Sequence, residues 1–258
     1  NNNSNNKKDP VMINKILSLF GLLLISYQLN AASFKVYEGA IPLTKQAAVL
    51  EAADKFMKSE TGKTFKGGFH INTILANGIS PATHNFALLM PSLEDIHKWE
   101  SSLVGNSDIQ EFWEVLDQHS TPVSEFMGSL IKTWGNVSNE DQFWLLTKFR
   151  TTDPAKVVAA QDKLDKAMSD KFPGQVILHA ISIGNRTGRN NDYSTHMFIV
   201  GYESVKEMES WTNYMNMQPA WAEYLNSLRD VVTWQGSELL QNTVIYDNGM
   251  DVESFHGQ

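Results

Sequence analysis

The sequence predicts an α+β protein made of two tandem repeats, each with the order strand, helix, strand, strand, helix, strand. The main observation is the block Thr83-His84-Asn85-Phe86, which returns 112 positions later (83 to 195) as Thr195-His196-Met197-Phe198. A serine, an acidic residue and a tryptophan follow both copies at matching places: Ser92, Asp95 and Trp99, then Ser204, Glu207 and Trp211. Similarity at a fixed offset of this size indicates an internal duplication.

Two further matches keep the same order along the chain. Asp54 to Met57 matches Asp165 to Met168, and Met127 to Ser129 matches Gln235 to Ser237. The offset changes only between elements, as expected when loops absorb changes in length. We therefore predict one repeat over residues 33–136 and another over 137–245. We expect residues 1–32 to be an upstream extension and signal peptide, and residues 246–258 to be a disordered tail.

Strands are predicted where β-branched and aromatic residues concentrate. They are, in chain order, Phe69 to Leu75, His84 to Met90, Phe126 to Trp134, Phe143 to Phe149, Val176 to Ile183, His196 to Tyr202 and Val232 to Leu240. Helices are predicted from their start signals. Asp153-Pro154 supplies an N-cap and a first-turn proline, whereas the equivalent start at Pro42 to Thr44 is weaker. Ser92 and Ser204 begin capping boxes after the third strands.

Both faces of the predicted strands carry apolar residues, and this pattern indicates how the two repeats pack. Phe86 and Leu88 lie on one face of their strand, and Ala87 and Leu89 on the other, so both faces should be buried. Helices cover one face. We expect the other face of each antiparallel sheet to press against the sheet of the other repeat, around a pseudo-twofold axis.

This element order, the serine-led helix and the tract Gln218-Pro219-Ala220-Trp221-Ala222-Glu223-Tyr224 resemble the dimeric α+β barrel superfamily, in particular its NIPSNAP-like and antibiotic-biosynthesis-monooxygenase-like branches. The first half keeps Ile109-Gln110-Glu111-Phe112-Trp113 there, without the proline. The resemblance implies ferredoxin-like repeats packed as a pseudo-dimeric α+β barrel. It also implies two kinds of activity: cofactor-free oxygenation of a deprotonated aromatic substrate, or haem binding.

The N-terminal region resembles a secretory signal. Lys15 precedes an apolar stretch from Ile16 to Tyr27, and small residues follow at Ala31 and Ala32. The stretch is too short to span a bilayer, although a permanent anchor is the competing interpretation. We expect a mature chain that begins at Ala32 or Ser33, is periplasmic or secreted, and is not bound to a membrane.

Composition excludes several classes of function. The chain has no cysteine, which rules out disulfides, thiolate metal sites and a cysteine nucleophile. The net charge is −8, and the sequence has no cluster of Lys and Arg of the kind that nucleic-acid binding requires. We predict no metal and no cofactor, a small-molecule partner, and either a monomeric pseudo-dimer or a homodimer.

Three histidines are the candidate catalytic residues, because imidazole titrates near neutral pH. His84 and His196 occupy matching positions, and each could instead begin its strand and bond to nearby backbone. His179 lies on an apolar strand face, and its predicted counterpart is Thr73; drift at a core position is the alternative there. We expect at least one of the three to border a cavity between the repeats, as a general base or an axial haem ligand.

The candidate ligand-binding residues are aromatic or cationic. Phe86 and Phe198 lie on the third strands, and Trp113 and Trp221 could line a pocket mouth. Arg186 and Arg189 lie in a polar loop that could bind a carboxylate or phosphate, or could be a solvated hairpin. Two functions follow: an exported protein that binds an apolar or aromatic molecule, or a monooxygenase-like or haem-binding enzyme.

Overall fold

The computed structural model describes residues 32–248 apart from 136, 137, 139, 169, 170, 172, 173 and 185–192. The first half contains β1 (Ser33–Ala40), α1 (Gln46–Lys58), β2 (Gly68–Ala76), β3 (His84–Met90), α2 (Leu93–Ser102), α3 (Ser107–His119) and β4 (Thr121–Gly135). The second contains β5 (Phe143–Thr151), α4 (Pro154–Met168), β6 (Gln175–Gly184), β7 (His196–Tyr202), α5 (Val205–Asn216), α6 (Pro219–Leu228) and β8 (Val232–Asp247). Short 3₁₀ turns flank α1 at Leu43–Lys45 and Gly62–Thr64.

Every predicted strand and helix is present, but β4 begins at Thr121, five residues before its predicted start at Phe126, and two further differences concern the helices and β8. The second helical segment of each half is a pair of helices, and the tract around Pro219 begins the separate helix α6. β8 continues to Asp247, which pairs with Gly68 of β2, whereas the sequence predicts that this strand ends at Leu240. The signal-peptide residues up to Ala31 and the tail from residue 249 lie outside the described residues.

The predicted helix caps are confirmed by hydrogen bonds. Ser92 Oγ accepts from the backbone N of Asp95 at 3.1 Å, and Ser204 Oγ accepts from that of Glu207 at 3.1 Å. Asp153 caps α4 by accepting from the backbone N of Lys156. These bonds satisfy N–H groups that the first helical turn leaves unpaired.

The strands form one closed antiparallel barrel in the order β1-β3-β2-β8-β5-β7-β6-β4. The predicted barrel is confirmed, but the expectation of two separate sheets pressed face to face is wrong. The second strand of each half pairs with the last strand of the other, β2 with β8 and β6 with β4. This exchange pairs the N–H and C=O groups that would otherwise lie on open sheet edges.

Strand register defines matching positions in the two halves. Tyr37 of β1 lies opposite Phe86 of β3, and Thr147 of β5 lies opposite Phe198 of β7. We call such residues register-equivalent. Tyr37 and Thr147 are therefore register-equivalent, although the two repeats differ in sequence there.

Register also corrects one predicted match. Asn72 lies opposite Asn85, whereas His179 lies opposite Met197. The register-equivalent of His179 is therefore Asn72, not the predicted Thr73. The offset of matching positions changes between elements, so sequence spacing alone misplaced the pair by one residue, which reverses the face on which a strand residue lies.

An apolar cluster lies inside the barrel. Its buried members are Phe34, Val36, Phe126, Leu146, Ile181, Met197 and Leu240. Toward one end lies a buried ion cluster, here named the axial triad: Lys148 Nζ is 3.1 Å from Glu38 Oε1 and 2.7 Å from Glu238 Oε1. Glu38 and Lys148 are register-equivalent, since they lie opposite Asn85 and Met197. The two halves thus meet through opposite charges at matching positions.

Helices cover the outer face of the barrel in each half. Val157, Leu164 and Met168 of α4 form an apolar stripe that is buried against that face. In the first half Ala53 and Met57 of α1 do the same. None of the helices in the described part of the chain is long and apolar enough to cross a bilayer.

Candidate functional site

Two cavities lie between the helices and the outer face of the barrel, one in each half. The first-half cavity has a volume of about 400 Å³, and Phe86, Trp99 and Trp113 are among its walls. The second-half cavity has a volume of about 470 Å³, with Phe198 and Trp211 at the positions that match Phe86 and Trp99. Both volumes are in the range of small-molecule sites.

The polar end of the first-half cavity is occupied by the protein's own side chains. Lys35 Nζ donates to both carboxylate oxygens of Glu100, at 2.9 and 3.0 Å, and lies 3.1 Å from Glu125. Tyr37 donates its hydroxyl hydrogen to Glu100 Oε1 at 2.6 Å. Burial alone would lower the pKa of Lys35, but its hydrogen bonds with Tyr37 and Glu100 raise it. We call these three residues, Lys35, Tyr37 and Glu100, the first-half network.

Burial, followed by the hydrogen bond to Glu100, raises the pKa of Tyr37. The phenol therefore stays protonated and donates permanently to the carboxylate. Every charge in the first-half network has a partner of opposite sign, so this cavity presents no unpaired charge for a ligand.

The second-half cavity has aromatic walls and a few polar groups. The aromatic members are Phe198, Tyr202, Trp211, Trp221, Tyr224 and Trp234. The polar members are Thr147, Gln161, Asp165, Thr212, Asn216 and Ser237. Burial, and next the charge of Glu207, raises the pKa of Tyr202, so its phenol remains neutral.

Register explains why the two cavities differ. Thr147 occupies the position of Tyr37, and Leu145, opposite Val200, occupies that of Lys35, opposite Leu88. Thr212 follows its capping serine by the same eight positions as Glu100 (204 to 212, 92 to 100). Each member of the first-half network is therefore replaced by a smaller or uncharged residue, and the space remains open.

Asp165 is the one formally charged residue among the described residues that line the second-half cavity. Its carboxylate makes no hydrogen bond or ion pair within the described part of the chain. Burial raises the pKa of this carboxyl, the charge of Asp162 raises it further, and Lys132 opposes both. Lys132 itself donates to Asp162 at 2.6 Å.

Asp165 is not among the site residues predicted from the sequence, although a signal was present. Gln161, Asp165 and Met168 lie at spacings of four and three on α4, so they share a face with the buried Leu164. Two polar residues on an apolar helix stripe mark a place where that stripe meets something other than closely packed core. In the sequence, the block Asp165 to Met168 is interpreted only as part of the duplication, through its match to Asp54 to Met57.

The predicted histidines lie elsewhere. His84 and His196 are buried, and Nδ1 of each is within hydrogen-bonding distance of the preceding threonine hydroxyl, 3.0 Å for Thr83 and 2.8 Å for Thr195. Burial lowers the pKa of both imidazoles. His179 points into the barrel and meets the ring of Phe34 edge-on, with centroids 4.9 Å apart.

None of these histidines lines the first-half or second-half cavity. The expected histidine-bordered cavity between the repeats stays a prediction, since the two cavities described above lie outside the barrel and an apolar cluster around Phe34 lies inside it. A histidine-ligated haem does not fit either cavity, since neither wall offers an imidazole among its described residues. The catalytic role of the histidines stays a prediction without geometric support from these two cavities.

The predicted aromatic residues do reach the cavities. Phe86 and Trp113 line the first-half cavity, and Phe198 and Trp221 line the second. They form two separate walls, not one shared site. Arg186 and Arg189 lie outside the described residues, so their predicted role in binding an anion stays a prediction.

Comparisons with known proteins identify the fold. No protein-family model matches the chain, and no curated protein matches it. Among solved structures, a proposed monooxygenase from Lactobacillus acidophilus is 13% identical, with a TM-score of 0.56 over 85% of this chain and 97% of that one. An anthrone oxidase-like protein is 17% identical, with a TM-score of 0.57 over 86% and 94%.

A haem-binding protein from Thermus thermophilus is 9% identical, with a TM-score of 0.50 over 83% of this chain and 92% of that one. At these identities the likeness shows the fold alone. The chain therefore shares an α+β barrel fold with these structures, and one polypeptide supplies all eight strands of its barrel.

Proposed function

We propose that this chain binds a small apolar or aromatic molecule in the second-half cavity. The observation that supports the proposal is a cavity of about 470 Å³ with aromatic walls and few polar groups. In the first half, the side chains of the first-half network occupy the equivalent place. Such a lining is typical of small-molecule sites. A two-ring aromatic ligand that buries roughly 300 Å² of apolar surface gains on the order of 7 kcal/mol before association costs are subtracted.

The alternative is a cofactor-free, monooxygenase-like enzyme. Asp165 favours it to some degree, because a carboxylate with a raised pKa in a cavity can act as a general base. However, no Lys, Arg or His is among the described residues of the cavity wall. A phenolate or enolate formed there would lack a cation to stabilise it, so binding without chemistry is better supported.

Branch and location remain proposals. The fold relatives do not distinguish the NIPSNAP-like from the antibiotic-biosynthesis-monooxygenase-like branch. We also propose export to the periplasm or beyond, supported by the signal-like residues Ile16 to Tyr27. The proposed ligand site requires neither a cofactor nor a metal.

Filling the cavity tests the binding function. Thr147→Tyr copies the register-equivalent Tyr37 and should occupy the space that a ligand needs. We expect 1-naphthalenemethanol to bind the unchanged protein in calorimetric titration and to bind Thr147→Tyr at least about tenfold more weakly.

The matched control is Thr233→Tyr. Thr233 is exposed on β8 and does not line the second-half cavity, so the same substitution there leaves the cavity open and should retain binding. Equal affinity of the unchanged protein and Thr147→Tyr, with the fold verified by circular dichroism, would contradict the proposal.

A further inference from the structure

The charge of the second-half cavity narrows the class of ligand. Asp165 provides one negative charge, and no cationic side chain accompanies it among the described residues of the wall. Lys132 lies nearby but is engaged by Asp162 at 2.6 Å. The field that a ligand meets is therefore negative.

The pKa of Asp165 shifts upward, as expected for a carboxyl in a negative field. Burial raises the pKa of the carboxyl, the neighbouring charge of Asp162 raises it further, and Lys132 offsets only part of these two effects. Both effects make an unpaired carboxylate costly in this position. A positive charge placed beside Asp165 would remove that cost, whereas an anion would increase it.

The aromatic wall favours the same sign of charge. Trp211, Trp221 and Trp234 all line the cavity, and the indole face attracts cations more strongly than other aromatic rings do. A carboxylate together with several indoles is a suitable environment for an organic ammonium group attached to an apolar body. The first-half cavity lacks this property, because its cation Lys35 is already in place.

We propose that the second-half cavity prefers an organic cation, an apolar or aromatic molecule carrying a protonated amine, and that Asp165 is the residue that recognises the ammonium group. This rests on the proposed function, since it names the class of ligand for the same site. Asp165 acts here in binding and not as a base.

Three ligands of similar size separate the effects of shape and charge. At a pH of about 7.5, well above the range in which carboxyls ordinarily titrate, 1-naphthylmethylamine is cationic, 1-naphthalenemethanol is neutral and 1-naphthoate is anionic. In calorimetric titrations with the full chain at low salt, we expect the amine to bind at least about tenfold more tightly than the alcohol, and the carboxylate to bind most weakly.

Asp165→Asn should bring the ratio of amine to alcohol affinity close to one while the affinity for the alcohol stays within about twofold. The matched control is Glu223→Gln, which removes one negative charge from a residue that does not line the second-half cavity and should keep the preference for the amine. Retention of the preference in Asp165→Asn would overturn the assignment.

The outcomes separate this inference from the proposed function. If the alcohol binds the unchanged protein but the amine binds no more tightly, the cavity is a ligand site and the preference for cations is wrong. If the carboxylate binds most tightly, the inference is likewise wrong, and the anionic ligand that the sequence predicts for Arg186 and Arg189 is favoured. If none of the three binds, the proposed function fails as well.

Discussion

Asp141, just before β5, should make the stability of this protein fall as the pH rises. The residue is 4% exposed, and its Oδ2 has no hydrogen-bond partner among the described residues. Burial, followed by the charges of Glu207 and Glu203, raises the pKa of this carboxyl from its ordinary 3.8 to about 6. Gly201 provides the space for the carboxyl, because a Cβ at that position would clash with Oδ2.

The sign of the effect follows from proton linkage. The folded protein holds the proton of Asp141 more tightly than the unfolded chain does, so the carboxyl contributes stability below about pH 3.8 that is lost as the pH rises through about 6. The difference between a pKa of about 6 and the ordinary 3.8 corresponds to about 3 kcal/mol as an upper bound. Local relaxation of solvent and side chains reduces this, and we expect about 1–2 kcal/mol.

Asp141→Asn removes the ionisation and keeps the size of the side chain. We expect the variant to be more stable than the unchanged protein by about 1–2 kcal/mol at pH 8 and nearly equal at pH 4. Urea unfolding followed by circular dichroism at pH 4, 6 and 8 gives the difference. The other titrating groups are common to both proteins and cancel in it.

The control is Glu140→Gln at the adjacent, exposed position. It removes the same charge and should change the free energy of unfolding by less than about 0.5 kcal/mol at every pH. The reasoning is refuted if Asp141→Asn is the less stable protein at pH 8, or if its difference from the unchanged protein does not vary with pH.

Two further substitutions test the barrel interior. Lys148→Met removes the cation of the axial triad and leaves two buried carboxylates facing each other, so urea titration should show a loss of about 3–5 kcal/mol; an unchanged midpoint would mean that the triad is not buried as described. Gly128→Ala should lower the free energy of unfolding by more than about 2 kcal/mol. Its Cβ would clash with the backbone oxygen of Ala180, and the β4–β6 pairing would have to shift; wild-type stability would contradict this close approach.

Local patterns in the sequence were sufficient for the elements and their order. His84–Met90 and His196–Tyr202 are strands with the predicted bounds, because alternating and β-branched residues specify extended backbone without reference to distant segments. The caps at Ser92 and Ser204 depend on atoms three residues apart, and such bonds can be read from spacing.

Pairing between the halves could not be read in this way. β2 and β8 are separated by more than 150 residues in the chain (76 to 232), and no local signal records which strand closes the barrel. The contacts of the axial triad also depend on pairing between the two halves. Glu38 and Lys148 are ordinary charged residues in the sequence, and only closure of the barrel places them in contact.

By itself, the sequence determined an α+β order of strands and helices, with the aromatic residues Phe86 and Phe198 on two of the strands, since periodicity and capping are properties of neighbouring residues. Only the tertiary structure decided where a ligand could bind. The cavity depends on the small size of Thr147, where the other half has Tyr37, and on the position of Asp165 on α4 across from that strand. Free volume is what remains after side chains from several distant elements have packed, so it leaves no local pattern in the sequence.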